Sequence, residues 1–233
     1  MKRLLSLIAA ASIAVAARAD LVMQEQADFG SSSNLITIKI QIHGDKIRQD
    51  TVGMGSGDMS LIKDAGTGDC IVLMHQQKKF TKPGAKTENP QSPEAALSKP
   101  LDTGASGKVG GYDAEIYAWA ADRKLWNDTN GMIETLWVAT NYPGYGKIQP
   151  YLAKLDRANV FFPGKAMQPE ISTLPGMVVK SRVMVKIGEA VQTINYSLVS
   201  AKEEPVNPSV FEVPGDYAEW TPSKPDPTPA PIQ

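Results

Sequence analysis

The sequence of 233 residues contains a single cysteine and no cluster of basic residues. One thiol excludes a scaffold held by internal disulfide bonds, and we expect Cys70, which opens an apolar run, to be a buried and unreactive thiol. The 24 basic residues are balanced by 25 acidic ones, so the chain lacks the positive charge typical of nucleic-acid-binding proteins. Beyond the N terminus no apolar run is long enough to cross a bilayer, so no integral membrane span is expected.

The N terminus has the pattern of a signal peptide. Lys2 and Arg3 precede a run of mostly apolar residues, and Ala17-Arg18-Ala19 is a small-residue cleavage site. We therefore predict that residues 1–19 are a signal peptide and that the protein is exported, to the periplasm or out of the cell. An uncleaved membrane anchor is the alternative.

Alternation of apolar and polar residues dominates the rest of the sequence. Four isoleucines between Leu35 and His43 lie on one face of a predicted strand, and the polar residues between them lie on the other face. Short Gly- and Asp-containing turns separate such segments, which predicts antiparallel pairing. The predicted strands are 20–29, 35–43, one from Ile47, 59–63, 70–75, 112–120, 132–140, 177–187, 194–198 and a short terminal strand at Phe211 and Val213.

One helix and two irregular segments complete the prediction. Ile148, Leu152 and Leu155 recur at helical spacing in a helix that ends near Ala158. Many prolines and glycines in residues 82–111 predict a long loop. We expect residues 20–220 to form a single β-rich domain and the Pro-rich residues 221–233 to be a disordered tail. The predicted fold is mainly β (α+β): a curved antiparallel sheet or half-barrel wrapped over one main helix.

Four segments in this order carry a family resemblance: Gly44–Arg48, Asp69–Leu73, Glu134–Ala139 and Pro208–Tyr217. Their order resembles an uncharacterised exported bacterial family, the domain-of-unknown-function family 4412. It also resembles, more distantly, the lipoprotein-carrier superfamily of LolA-like and LolB-like proteins. The resemblance implies a half-barrel over a helix, and in the carrier superfamily the concave face holds acyl chains or lipid-modified peptides.

Asp102-Thr103-Gly104 matches the signature of aspartic proteases. Such enzymes need two carboxyl groups that share a proton, and with one copy per chain only a dimer could supply both. Polar and Gly-rich neighbours favour a loop at this position. An aspartic-type hydrolase that uses Asp102 is therefore kept as an alternative function.

Tyrosines and tryptophans are concentrated between Tyr112 and Tyr145. They are typical of a core with aromatic pairs across strands. A second interpretation places Trp137, Tyr142 and Tyr145, with Leu152 of the helix, around the mouth of a ligand cavity.

These patterns favour an exported, non-enzymatic protein that binds a hydrophobic ligand or lipid in its half-barrel. The alternatives are the Asp102 hydrolase and a structural envelope protein whose tail is a spacer. No cofactor or metal is expected, because His43 and His75 are the only histidines and neither lies in a cluster of metal-binding residues.

Overall fold

A computed structural model of the chain describes residues 20–30, 35–82, 99–120, 130–158 and 169–221. The predicted signal peptide, the helical turn suggested by the sequence at 93–97 and all but the first residue of the predicted tail lie outside these residues. No helix in the described ranges is both long enough and apolar enough to cross a membrane.

The described strands form one large curved sheet that does not close into a barrel. Neighbouring strands are antiparallel, except that the last strand is parallel to β6. In spatial order the strands are β12, β6, β5, β4, β3, β2, β1, β11, β10, β9, β8 and β7. Their bounds are β1 Leu21–Asp28, β2 Ile36–His43, β3 Lys46–Val52, β4 Met59–Asp64, β5 Cys70–Met74, β6 Lys79–Thr81, β7 Leu101–Val109, β8 Tyr112–Ala120, β9 Asn130–Ala139, β10 Met177–Ile187, β11 Ala190–Glu203 and β12 Ala218–Glu219.

The concave face of the sheet covers helix α1, Tyr145–Ala158. Ile40 and Ile42 of β2 are fully buried, and they belong to the same core as Ile148, Leu152 and Leu155 of the helix. Lys154 anchors the helix to the β2–β3 turn, because its ammonium group donates a hydrogen bond to the Gly44 carbonyl at 2.5 Å. The predicted half-barrel over one helix is confirmed.

Bulges interrupt three strand pairs. The register shifts between Gln24 and Glu25 in β1 and between Val178 and Lys180 in β10. A third shift lies between Asp102 and Ala105 in β7. A bulge bends its strand and increases the local twist, which helps a wide sheet to curve around a helix.

The convex face is partly covered by the C-terminal segment. Val22 and Leu73 of the sheet pack there with Val206 and Phe211. The alternation of the sequence predicts Gln41 on the polar face of β2. Because the C-terminal segment partly covers that face, Gln41 is only 8% exposed. Within the described ranges, three short 3-10 turns accompany the strands: His75–Gln77, Ile171–Thr173 and Pro208–Phe211.

Two predictions about local structure were wrong. Residues 101–109 of the predicted loop form the edge strand β7, which pairs with β8 through its backbone while most of its side chains remain exposed. An edge strand exposed on both faces has no apolar alternation, so periodicity gave no signal. Phe211 ends a 3-10 turn and does not begin a strand, because Pro208 favours the turn and the Asn207 side chain caps it by accepting from the Ser209 amide.

Candidate functional site

A cavity of about 120 Å³ lies between the concave face of the sheet and helix α1. We call it the inner cavity. Its walls come from strands on both halves of the sheet, from the helix and from the segment that follows residue 168. The apolar lining residues are Met23, Ile38, Leu136, Leu152, Pro169, Ile171, Met177, Val178 and Val183, and the polar ones are Glu25, Gln49, Glu134, Asp156, Ser181 and Tyr196.

Two glutamates point into this apolar environment. Glu25 lies opposite Ile38 of β2, directly after the register shift in the β1–β11 pair, where the extra residue, Val199, belongs to β11. Glu134 lies opposite Val183 in β10. The pKa of the Glu25 carboxyl is raised to about 7, mainly by burial and to a smaller extent by the nearby charge of Glu134. Burial also raises the pKa of Glu134 to about 7, opposed by a hydrogen bond with the Ser181 side chain.

Two more polar groups line the inner cavity, Tyr196 from β11 and Gln49 from β3. Burial raises the pKa of the Tyr196 hydroxyl to about 12, with smaller contributions from the charges of Glu134 and Glu25. The side-chain oxygen of Gln49 is buried and has no hydrogen-bond partner among the described residues. A buried acceptor without a donor is costly in free energy, so the inner cavity favours an occupant that can donate hydrogen bonds.

Asp156 fixes the edge of the inner cavity. Its carboxylate, on helix α1, accepts hydrogen bonds from the backbone amides of Ile171 at 3.1 Å and Ser172 at 2.9 Å. The side chain is 95% buried, and desolvation raises its pKa while these hydrogen bonds lower it. Asp156 therefore has a structural role at the junction between the helix and the turn that precedes β10.

Of the four residues predicted to bind ligand, Leu152 lines the inner cavity and the three aromatic ones do not. Trp137 follows the lining residue Leu136 and faces the opposite side of the sheet, where the Lys180 ammonium lies 5.1 Å from its ring centre. The Tyr142 hydroxyl pairs with the backbone of Ala201, and the Tyr145 hydroxyl donates to the Leu174 carbonyl at 2.7 Å. The hydroxyls of these tyrosines therefore hold the helix against the sheet, and ligand binding by this set stays a prediction.

Glu25 and Glu134 were not among the site residues predicted from the sequence, although both carry a recognisable signal. Glu25 is in phase with Leu21, Met23 and Ala27, whose side chains are buried. Glu134 is in phase with Leu136 and Val138 in the same way. A carboxylate at an inward-facing position of an alternating strand is unusual, because burial of an unpaired charge is unfavourable. Such a position is a candidate functional site.

A second polar cluster lies on the convex face, and we call it the outer network. Ser60 Oγ lies 2.6 Å from His75 Nε2, and His75 Nδ1 lies 2.7 Å from the Tyr217 hydroxyl. Ser60 donates to Asp50 at 2.5 Å, and the guanidinium of Arg48 donates to both Asp50 and Ser60. The proximity of these residues is not apparent from the sequence, because they are joined by strand pairing and by the C-terminal segment.

The outer network contains a serine and a histidine at hydrogen-bonding distance, but its connections differ from those of a catalytic triad. In a triad the carboxylate contacts the histidine, whereas here Asp50 contacts Ser60 and Tyr217 takes the other histidine nitrogen. Ser60 is 1% exposed, so its hydroxyl is not accessible to a substrate. Arg48 also donates to the Val210 carbonyl at 2.5 Å, which fixes the C-terminal segment on the sheet.

Asp102 and Cys70 are the remaining candidate residues. Asp102 is exposed on the edge strand β7, and its carboxylate accepts a hydrogen bond from the Gly104 amide at 2.8 Å. Cys70 is half-buried, and desolvation raises the pKa of its thiol, which makes the thiol less nucleophilic at neutral pH. The parts of the chain that the structure describes contain no group of three or more His, Cys, Asp or Glu residues arranged to hold a metal ion.

Comparisons with known proteins give no assignment. No protein-family profile and no curated protein matches the chain. One similar solved structure, at 10% identity and a TM-score of 0.41, is that of PNGF-II; the match covers 86% of this chain and 30% of that chain. Another, at 10% identity and a TM-score of 0.34, is a DUF1329 family protein from Desulfovibrio piger ATCC 29098; it covers 85% of this chain and 91% of that chain. The resemblance to family 4412 and to the lipoprotein carriers is not confirmed.

Proposed function

We propose that this chain is an exported, non-enzymatic protein that binds a small hydrophobic ligand in the inner cavity. The signal-peptide pattern of residues 1–19 supports export. The observation that carries the binding proposal is a cavity between sheet and helix whose walls are mostly apolar. Concave apolar sites with a few polar groups are typical of small-molecule binding.

The size of the inner cavity limits what it holds. An apolar cavity of about 150 Å³ in another protein binds benzene, and the inner cavity measures about 120 Å³. The buried part of the ligand is therefore a small ring or a short chain. Any longer acyl chain would have to extend out of the inner cavity.

Methionine methyl groups give a direct test. Met23 and Met177 line the inner cavity, whereas Met59 and Met74 lie opposite each other on β4 and β5, outside its walls. The protein is labelled with ¹³C at its methionine methyl groups and titrated with benzyl alcohol, which is neutral. The NMR signals of Met23 and Met177 should shift. The signals of Met59 and Met74 should stay in place.

Variants that fill the inner cavity provide the control. Leu152→Trp should abolish the shifts of the Met23 and Met177 signals, whereas Leu101→Trp, at an exposed position on β7, should preserve them. If Leu152→Trp does not fold, Val183→Leu adds one methylene at another wall and should weaken binding. Unchanged Met23 and Met177 signals in the wild type, or equal binding in the filled variants, would contradict the proposal.

A further inference from the structure

The polar groups of the inner cavity consist mainly of hydrogen-bond acceptors. Glu25 from β1 and Glu134 from β9 supply two carboxyl groups, and Gln49 from β3 supplies a buried amide oxygen without a described partner. The side-chain donors in the described lining are the hydroxyls of Ser181 and Tyr196 and the amide nitrogen of Gln49, and Ser181 is already bonded to Glu134. Donors are therefore fewer than the acceptors that need them.

No cation in the described part of the chain neutralises this site. None of the lining side chains in the described ranges is Lys, Arg or His, and the third lining carboxylate, Asp156, is held by backbone amides of the neighbouring turn. The described side chains that line the walls are thus neutral or negative on every element: β1, β2, β3, β9, β10, β11, helix α1 and the segment 169–171. An anionic ligand would be repelled, and a neutral ligand would leave the carboxyl groups to compete for the same few donors.

We propose that the inner cavity recognises small apolar amines, with the protonated amino group between Glu25 and Glu134 and the apolar part against Leu152 and Val183. This inference rests on the proposed function and specifies its ligand class. An ammonium group offers three donors and a positive charge, which matches the two carboxylates and the Gln49 oxygen. The ring or short chain of the amine fills the apolar remainder of the inner cavity.

Proton exchange follows from this arrangement. Without a ligand, burial and mutual repulsion favour protonated carboxyls, since the pKa of both is raised to about 7. A bound ammonium group favours the ionised carboxylates, so binding releases protons to the solvent. The affinity for an amine should therefore increase at least tenfold between about pH 5.5 and about pH 8, while the affinity for a neutral alcohol should change little.

The experiment compares three probes of one size: benzylamine, benzyl alcohol and benzoate. Their dissociation constants are measured from the Met23 and Met177 methyl signals at both pH values, on the full folded chain. At the higher pH we expect benzylamine to bind at least tenfold more tightly than benzyl alcohol, and benzoate to bind most weakly.

Isosteric variants test the two carboxyl groups. Glu25→Gln and Glu134→Gln should each weaken benzylamine binding about tenfold or more at the higher pH and weaken benzyl alcohol binding by a much smaller factor. Glu115→Gln, at an exposed position on β8, is the matched control and should change neither. Both glutamine variants keep the size of the side chain, and the alcohol titration reports whether the inner cavity is intact.

The outcomes separate this inference from the proposed function. Benzyl alcohol or benzoate binding as tightly as benzylamine, with normal shifts of Met23 and Met177, would overturn the amine specificity and leave hydrophobic binding intact. If none of the three probes moves these signals, both proposals are wrong. Amine binding that does not depend on Glu25 and Glu134 would also overturn the inference.

Discussion

The two faces of the sheet bury polar side chains in opposite ways. On the convex face, the outer network gives each donor an acceptor: Tyr217 faces His75, His75 faces Ser60, and Ser60 and Arg48 both donate to Asp50. On the concave face, Glu25 and Glu134 lie in an apolar cavity without a cation among the described lining residues.

This difference separates two reasons for burying polarity. A fully hydrogen-bonded network fixes one conformation, and here it holds the C-terminal segment on β3, β4 and the turn after β5. Unmatched acceptors reduce the stability of the folded chain and are expected where a ligand supplies the missing donors. We therefore interpret the outer network as structural and the inner cavity as functional.

The largest effect on stability is expected when Arg48, the cation of the outer network, is replaced. Arg48→Met keeps most of the side-chain length but leaves Asp50 without its charge partner, at a position where both side chains are mostly buried. We expect the free energy of unfolding to fall by about 4 kcal/mol, measured by urea denaturation with an unchanged m-value.

The matched control is Arg182→Met on the same sheet. Arg182 is exposed; its guanidinium donates to Asn195 and lies 5.8 Å from the ring centre of Trp137. Its replacement should cost no more than about 0.5 kcal/mol. Equal losses in the two variants would show that the outer network contributes nothing beyond an ordinary surface contact.

The inner cavity should make stability depend on pH. Because the folded-state pKa of Glu25 and of Glu134 is raised from 4.5 to about 7, the folded chain binds more protons than the unfolded chain between these values. The contribution of each carboxyl to the free energy of unfolding is fully present below about pH 4.5 and is lost as the pH rises through 7. The loss is up to about 3 kcal/mol per carboxyl.

Glu134→Gln removes one of these two contributions. The variant should be more stable than the wild type at about pH 8, by roughly 3 kcal/mol, and close to it at about pH 4.5. Glu115→Gln, exposed on β8, should follow the wild-type curve. If the stability of the wild type is constant across this pH range, the glutamates are solvated. The concave face would then not differ from the convex face in how it buries polar side chains.

The smallest effect is expected at the rim of the outer network. Tyr217→Phe removes the hydroxyl that lies 2.7 Å from His75 Nδ1 and should lower the free energy of unfolding by about 1 kcal/mol. The amides of Ala218 and Trp220, which donate to the Lys78 and Phe80 carbonyls, should then exchange hydrogen faster. Tyr117→Phe, whose hydroxyl bonds Glu115 at an exposed site, should leave both amides as slow as in the wild type.

Strands with one apolar face were predictable from the sequence, and so was the helix beneath them. One buried face is encoded in β2 by its isoleucines and in the helix by Ile148, Leu152 and Leu155. An apolar face must pack against another apolar face, which predicts that the sheet covers the helix. The edge strand β7 was not predictable, because its pairing depends on backbone hydrogen bonds that leave no pattern in its side chains.

The site was only partly predictable. Leu152 lines the inner cavity, and its burial follows from its helical phase, whereas its role in ligand binding stays a prediction. The face that Trp137 occupies could not be predicted, since an aromatic residue on a strand does not indicate its face until the register is known. The outer network could not be foreseen at all: His75 and Tyr217 are separated by 142 positions and meet only when the chain returns across the convex face.

The most direct test of the account is a pH titration of the side-chain carboxyl carbons of Glu25 and Glu134 by ¹³C NMR, with and without benzylamine. We predict midpoints near pH 7 in the free protein, and midpoints at least one unit lower with saturating amine. Midpoints near 4.5 that do not respond to the amine would contradict both the desolvated inner cavity and its proposed ligand.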